Sequence, residues 1–434
     1  MTKILLFIFC VSSTSAFASF PDYFGTAVST ASIGNQASAN HQDAANVYYH
    51  PSMAGFAKKV SFAGSISSAQ TSFPEINGVI KKNTATSSTT ESGSVRTDYP
   101  NYQSYTLNFI LPLRYEDAGS LGFFLSAPIG TMVEQSSGHP EWPEYVMYRA
   151  RYRRTQVHLN YAQPIGDQFS ISIGAFLGFQ ASAKVETQVS LGNNFGSQAT
   201  ASSKVKPSVG AVIGASYRFE DQMLNFTYQH EMKTNLESEA FGEIVDPSIS
   251  LINISINSLM FYDPHTFRIQ WSKKIDAIEL MTGVDYQMWS NYRPPTIQVI
   301  NQGGSVKGSN DFEKLKLRNT FTPKLGTRFF INDSVSFSGG LSYRQSPIEG
   351  DFSGSGNSID LDSWIFALGS EYRFDFLNHV IKLGASFQYQ KLEDKKVTKT
   401  TGLENGSPGQ KIGAPGYNVG GDVKVAMLGL SILF

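Results

Sequence analysis

The sequence is short of cysteine, of charge and of long apolar runs, and each shortage excludes a class of protein. One cysteine, Cys10, among 434 residues excludes a disulfide framework and a cysteine-rich zinc site. Charged residues make up 16% of the chain, against about 25% in ordinary soluble domains. The net charge of −1 gives no sign of nucleic-acid binding.

No apolar run after the first residues is long enough for a membrane-spanning helix, which needs about 20 residues. Only helices and closed barrels satisfy their backbone hydrogen bonds in lipid. The rest of the chain is therefore expected to be either soluble or a transmembrane β-barrel.

The N-terminus has the features of a secretory signal. Lys3 supplies a positive charge, residues 4–11 form an apolar core, and Ala16-Phe17-Ala18 fits a small-residue cleavage site. We predict that residues 1–18 are a signal peptide, which would leave the mature chain without cysteine.

Apolar and polar residues alternate with a period of two along several segments, as in strands with one apolar face. In the segment 170–180, the apolar face consists of Ile171, Ile173, Ala175, Leu177 and Phe179. A soluble β-sandwich also alternates in this way. However, the polar face here is rich in glycine and serine, and the apolar face ends in aromatic residues, which favours a lipid-facing barrel.

Short turns alternate with long loops along the chain. The short polar turns lie at 115–119, 166–168, 220–222, 273–276, 332–334 and 375–378. The long segments lie at 74–100, 133–148, 191–203, 237–264, 301–313, 346–362 and 398–421. Thirteen connections predict about 14 strands, with short turns on the periplasmic side and long loops outside.

The last strand is amphipathic and ends on Phe434. A terminal phenylalanine in this setting resembles the signal by which outer-membrane proteins are recognised, so the barrel assembly machinery is an expected partner. The fold class predicted from these features is all-β: a transmembrane antiparallel β-barrel of about 14 strands, spanning residues 56–434.

The segment 19–55 does not alternate like a spanning strand. It is rich in small and polar residues but also contains Phe20, Tyr23, Phe24 and Tyr48. These aromatic residues favour a hatch that folds back into the lumen over a disordered periplasmic tail, since a lumen of this size leaks unless it is filled.

The hatch segment carries a resemblance to a known family. Residues 31–34 (Ala-Ser-Ile-Gly) and 43–55, which include Asp43, Tyr48 and Tyr49, resemble the hatch of FadL/TodX-type outer-membrane transporters of long-chain fatty acids and hydrophobic compounds. The family's Asn-Pro-Ala is replaced here by His50-Pro51-Ser52. Segments 284–290, 319–343 and 368–374 are similar to the family's later strands.

The resemblance implies a monomeric barrel with a plugged lumen in the outer membrane of a Gram-negative-type bacterium. Its partners would be a hydrophobic small molecule, membrane lipid and lipopolysaccharide. The family moves apolar substrates inward without an energy-transducing partner. Substrate lands on the outer loops, enters a pocket and leaves sideways beside a kinked third strand.

The third strand is predicted at about 120–133. Within it, Pro128 lacks a ladder donor and Gly130 weakens pairing, so the stretch from Ser126 to Gly130 is a candidate lateral opening. In the alternative interpretation, Pro128 and Gly130 lie at the strand's outer end, where they disturb nothing.

The loop 237–264 holds an apolar run that is a candidate landing surface for substrate. Its residues of interest are Ile249, Leu251, Ile252 and Ile254. In the alternative interpretation, residues 249–261 are the eighth barrel strand.

Three arginines share one strand face near the predicted outer rim: Arg149, Arg151 and Arg153. Arginine suits bidentate binding of a carboxylate or a phosphate. Lipopolysaccharide phosphates are favoured over a fatty-acid carboxylate as their ligand.

No cofactor, metal site or enzymatic activity is expected from the spacing of histidines or acidic residues. The function favoured is passive uptake of hydrophobic molecules, with long-chain fatty acids preferred as substrate. An aromatic hydrocarbon transporter of the same fold, a polar-solute porin and a structural or adhesive barrel are the alternatives.

Overall fold

A computed structural model describes most of the chain. The described residues are 20–84, 87–95, 99, 101–113, 118–129, 143–148, 155–189, 197–244, 252–292, 298–301, 316–349, 358–398 and 416–434. Among them, no helix has the length and hydropathy required to cross a bilayer.

The helices are short and lie mostly at the N-terminus, and strands make up the rest. The helices are α1 (Phe20–Phe24), α2 (Val28–Ala31), α3 (Asn46–Tyr49) and two 310 helices (Pro51–Phe56 and Val146–Tyr148). The strands are β1 (Ser61–Ser72), β2 (Ile76–Thr84), β3 (Ser87–Val95), β4 (Tyr102–Pro112), β5 (Ser120–Pro128), β6 (Glu144–Tyr145), β7 (Gln156–Ile165), β8 (Phe169–Val189), β9 (Ser197–Phe219), β10 (Gln222–Gln229), β11 (Met232–Ile244), β12 (Ile252–Asp263), β13 (His265–Ile275), β14 (Ile278–Met288), β15 (Gln298–Asn301), β16 (Thr320–Phe330), β17 (Val335–Arg344), β18 (Ser358–Ile359), β19 (Ser363–Phe376), β20 (His379–Thr398) and β21 (Gly416–Leu433).

Fourteen of these strands close into one antiparallel barrel, as predicted. In ring order they are β1, β4, β5, β7, β8, β9, β10, β13, β14, β16, β17, β19, β20 and β21. The ring closes where β1 pairs with β21 from Ser61 opposite Leu433 to Ser72 opposite Asp422. Closure leaves no sheet edge in the wall, which lipid requires.

The short turns connect neighbouring strands at one end of the barrel. Between β19 and β20, Leu377 and Asn378 both have positive φ (51° and 65°), the backbone of a type I′ turn, which matches the twist of a hairpin. The long loops lie at the other end. We assign the short-turn end to the periplasm and the long-loop end to the outside.

The long loop between β10 and β13 includes residues 249–261, and the interpretation of these residues as the eighth barrel strand is wrong. Residues Ile252–Asp263 form a strand, but β12 pairs with β11 and β15 rather than joining the barrel ring. The eighth barrel strand is β13 (His265–Ile275). Because both segments are apolar and strand-like, periodicity alone did not distinguish them.

The two faces of the wall divide as the alternation predicts. Large apolar side chains are exposed on the outside, where lipid covers them, and they include Ile171, Ile173, Leu325, Leu368, Phe387 and Leu428. The lumen face carries buried small and polar side chains, which include Ser170, Ser172, Ser216, Ser338, Ser386, Gln388 and Gln390. Both the lipid-facing band and a crowded lumen are therefore present.

Candidate functional site

Residues Phe20–Phe56, here called the hatch, pack inside the barrel. Every residue from Phe24 to Ser38 and from Ala44 to Ala57 is buried. The α2 helix contacts β19, β20 and β21, whereas the 310 helix contacts strands from β4 to β10. The two halves of the hatch thus rest on opposite parts of the wall.

Five glycines on successive strands, here called the glycine stripe, make room for the first half of the hatch. They are Gly326, Gly340, Gly369, Gly384 and Gly429. A Cβ atom on Gly340 would lie 2.2 Å from the carbonyl carbon of Ile33, and one on Gly369 would lie 2.5 Å from Cβ of Ser32. Any side chain there would displace the hatch.

Polar wall side chains bind the backbone of the same half of the hatch. Arg328 Nη2 donates to the carbonyl of Ser29 over 2.9 Å, and Lys324 Nζ donates to the carbonyl of Asn35 over 2.7 Å. Gln270 both accepts from the amide of Ala37 and donates to its carbonyl. The hatch has little secondary structure of its own, so these contacts satisfy backbone groups that would otherwise be buried unpaired.

The second half of the hatch is held by hydroxyl groups and one histidine. His50 Nδ1 and Thr227 Oγ1 are 2.9 Å apart, and the hydroxyls of Ser52 and Ser216 are 2.7 Å apart. Ser170 Oγ donates to the carbonyl of Ser52 over 2.8 Å. His50 and Ser52, on either side of Pro51, make these three contacts with the wall.

Burial of this half changes proton affinities. Desolvation lowers the pKa of His50 to about 3, and the positive charges of Arg268 and Lys324 act in the same direction. The imidazole is therefore neutral at ordinary pH. Burial also raises the pKa values of Tyr48 and Tyr49, whose rings meet edge to face with centroids 5.0 Å apart.

The other predicted hatch residues shape local turns. Asp43 accepts hydrogen bonds from the hydroxyl of Ser38 (2.8 Å) and the amide of Ala45 (3.0 Å). Pro51 begins the 310 helix, where its missing N–H costs nothing.

Ion pairs form inside the barrel, and one of them links the hatch to the wall; sequence reasoning missed them. Arg268 binds Asp22 of the hatch with an N–O distance of 2.9 Å. Lys324 binds Asp285 at 2.6 Å. The sequence does show charged residues at inward-facing positions of the strands. It does not show which of them form pairs, because the partners are distant in sequence.

An aromatic cluster, here called the aromatic chamber, fills the lumen between the hatch and the long loops. Its aromatic members are Phe24, Tyr102, Tyr145, Tyr148, Tyr262, Trp289, Tyr292 and Tyr417. Ile348, Ile359, Leu361, Leu392 and Val423 are among its aliphatic members. Phe24 forms the floor of the chamber, with its ring 5.7 Å from that of Tyr102.

Parts of two outer loops cover the chamber. The short strands β6 and β18 pair in parallel across the barrel mouth. Tyr145 Oη donates to the carbonyl of Gly420 over 3.0 Å and accepts from its amide over 2.9 Å. Arg344 binds both carboxylate oxygens of Asp360 at 2.9 and 3.0 Å. The described parts of these loops thus lie on the outer side of the chamber, and the hatch lies on its other side.

An open cavity lies at the periplasmic end of the barrel. A cavity of about 950 Å³ lies below the hatch and is lined by turn residues and by polar side chains. Its lining includes both acidic and basic residues, among them Asp43, Arg218, Glu371 and Lys382. This vestibule is polar, in contrast to the aromatic chamber on the other side of the hatch.

The third strand is regularly paired. The β4–β5 ladder runs unbroken from Ser120 to Pro128, and the β5–β7 ladder ends where Ser126 faces Gln156. Pro128 is the last residue of β5, as the alternative interpretation has it, and Gly130 lies outside the described residues. The described residues therefore contain no kink within this strand, and pairing stops only on its β7 side.

The remaining candidate residues lie in an outer hairpin or outside the described residues. Ile252 and Ile254 are in β12 of the outer hairpin. Ile252 pairs with Gly242 of β11, and Ile254 pairs with β11 and with Asn301 of β15. Ile249, Leu251, Arg149, Arg151 and Arg153 lie outside the described residues.

Comparison with known proteins identifies the family of this barrel. Residues 10–433 match the model of the outer membrane protein transport protein family (OMPP1/FadL/TodX). No curated protein matches.

Three similar solved structures share the fold. A Pseudomonas aeruginosa FadL homologue is 15% identical, with a TM-score of 0.61 over 94% of this chain and 98% of its own. The P. putida toluene transporter TodX is 13% identical, with a TM-score of 0.55 over 95% and 99%. The Ralstonia pickettii toluene transporter TbuX is 11% identical, with a TM-score of 0.50 over 94% and 98%.

A closed 14-stranded barrel with an apolar outer face defines a transmembrane barrel of the Gram-negative outer membrane. The chain belongs to the OMPP1/FadL/TodX family of outer-membrane channels for hydrophobic compounds. The family resemblance and the location inferred from the sequence are both confirmed.

Substitution within the glycine stripe should displace the hatch. Gly340→Ala places a Cβ atom within 2.3 Å of the hatch backbone, whereas Gly339→Ala on the lipid side meets nothing nearer than 3.7 Å. Overpacking of this kind costs about 1–3 kcal/mol. We expect leak conductance in planar bilayers for Gly340→Ala and none for Gly339→Ala. Equal conductance of the two variants would contradict the stripe's role.

Acid should loosen the hatch through His50. The pKa of His50 is about 3 in the folded protein, below the ordinary 6.5. Neutral His50 therefore makes its full contribution to the stability of the fold above pH 6.5, and this contribution is lost as the pH falls from 6.5 toward 3. Between pH 7.5 and 4.5 the loss is about 3 kcal/mol. Leak conductance should rise over this range in the wild type and rise less in His50→Asn. His41 also belongs to the hatch and is present in both proteins, so the difference isolates His50; identical pH profiles would count against this assignment.

Proposed function

We propose that the protein is a passive channel that takes up hydrophobic molecules through the aromatic chamber. The observation that carries this proposal is a buried cluster of aromatic and aliphatic side chains between the outer loops and the hatch. Concave sites lined by aromatic and aliphatic side chains are the usual sites of apolar ligands. Long-chain fatty acids and aromatic hydrocarbons are the two substrate classes to be distinguished.

The hatch supports this function over that of a polar-solute porin. It fills the cross-section with buried residues and is held by charged and hydroxyl side chains on both parts of the wall. A porin needs a continuous aqueous path. In the proposed mechanism the hatch blocks that path, and the substrate does not pass straight through the barrel.

The proposed exit is sideways through the wall beside β5. Among the described residues, pairing between β5 and β7 ends at Ser126 and Gln156, although β5 continues to Pro128. Pro128 has no backbone N–H to donate, so the wall is weakest immediately above this pair. Apolar substrate could pass there from the chamber into the bilayer without crossing the polar vestibule.

Loss of a chamber aromatic residue should weaken uptake. Trp289 is 6% exposed and packs against Tyr262 and Tyr292, whereas Trp364 is 42% exposed on the lipid face. Uptake of a hydrophobic fluorescent probe should fall about tenfold in Trp289→Ala, for a loss of about 1.4 kcal/mol of binding. Trp364→Ala should retain uptake. Steady conductance of the wild type in planar bilayers, with no probe uptake, would establish a porin instead.

A disulfide at the end of the β5–β7 ladder should block the lateral route. Ser126→Cys and Gln156→Cys place two cysteines opposite each other where pairing stops. We expect oxidised protein to lose most probe uptake and reduced protein to regain it, because only the reduced strands can separate. The same molecule serves as its own control. Equal uptake in both states would refute the sideways exit.

A further inference from the structure

The buried charges inside the barrel are unequal in number. Among the described residues, four lysines and arginines are fully buried, namely Arg268, Lys324, Arg328 and Arg344. Six carboxylates are fully buried, namely Glu144, Asp263, Glu279, Asp285, Asp360 and Glu371. Among these described side chains, the acidic groups outnumber the basic groups by two, and the half-buried Asp22 is a further acidic group.

Each of the four buried cations already has an acidic partner. Arg268 binds Asp22, with Asp285 3.7 Å away, and Asp285 also binds Lys324. Arg328 lies between Glu279 at 3.5 Å and Glu371 at 3.4 Å.

Of these four buried cations, Arg344 contacts the aromatic chamber directly. Its guanidinium binds Asp360 through two hydrogen bonds and donates a third to the carbonyl of Leu361, a chamber residue. It also lies over the ring of Tyr23, 5.0 Å from the centroid. A carboxylate arriving in the chamber would have to displace Asp360 from this arrangement.

None of these four buried cations of the described residues is left unpaired for an anionic substrate, which would therefore lose its hydration without gaining a counter-ion from them. A desolvated carboxylate requires a paired charge, and repulsion from like charges is strong where water is excluded. An uncharged molecule meets neither cost, and the chamber's apolar and aromatic side chains suit it directly.

We propose that the chamber selects uncharged hydrophobic molecules and rejects ionised carboxylates, an inference that rests on the proposed uptake function. The substrate class is then a hydrocarbon, or a neutral derivative such as an ester or an alcohol. A fatty acid in its anionic form is disfavoured, which reverses the preference drawn from the sequence.

Quenching of tryptophan fluorescence by a brominated acyl chain tests this selectivity. The chain has four tryptophans. In one protein, Trp142, Trp271 and Trp364 are changed to Phe so that Trp289 in the chamber remains. In a matched protein, Trp142, Trp271 and Trp289 are changed to Phe so that Trp364 on the lipid face remains. The second protein reports quencher in the detergent belt, so the difference between the two measures occupancy of the chamber.

The probes are 9,10-dibromostearate and its methyl ester at pH 8. We expect the ester to quench Trp289 at about tenfold lower concentration than the anion does, after the Trp364 signal is subtracted. Equal or tighter binding of the anion would overturn the proposed selectivity while leaving the uptake function intact. Absence of chamber quenching by both probes would overturn the uptake function together with this inference.

A gain-of-function variant makes the test independent of the ester's solubility. Asp360→Asn removes the charge that neutralises Arg344 and should tighten anion binding about tenfold with little change for the ester. Asp394→Asn removes the same charge from an exposed pair with Lys391 and should change neither. Unchanged anion binding in a folded Asp360→Asn protein would contradict the inference, and the comparison of the two probes on the unsubstituted chamber stands if that variant does not fold.

Discussion

A closed ring of backbone hydrogen bonds determines the width of the barrel and therefore what its lumen must contain. Lipid offers no partner for a peptide group, so the strands must pair around the full circumference. Pairing of β1 with β21 meets that requirement. A ring of 14 strands encloses a lumen too wide for wall side chains to fill, and the hatch, the glycine stripe and the buried ion pairs all follow from the need to fill it.

The hatch is stabilised differently from the wall that surrounds it. The wall is held by regular ladders, whereas the hatch depends on side chains that reach its irregular backbone, such as Arg328 to Ser29 and Gln270 to Ala37. These contacts need polar and charged groups deep in the barrel. The aromatic chamber lies on the outer side of this polar layer, so an apolar cluster and a polar vestibule lie on opposite sides of the hatch.

The wall could be predicted from the sequence because its determinants are local. A period of two, short turns such as Leu377-Asn378 and a terminal amphipathic strand are each visible within a few residues. The interior could not be predicted, because it depends on register between distant strands: Asp22 meets Arg268, and Gly340 meets Ile33, only after the barrel closes. The same limit explains why residues 249–261 could be read as a barrel strand.

Hydrogen exchange of the backbone amides in detergent-solubilised protein shows whether the hatch is docked in the lumen. If the hatch is docked in the lumen by the wall, amides of residues 28–36 should exchange as slowly as those of the neighbouring strands β16 to β21. Exchange of that segment within seconds, while the strands remain protected, would show that the lumen is not filled by its own N-terminal segment and would contradict the account.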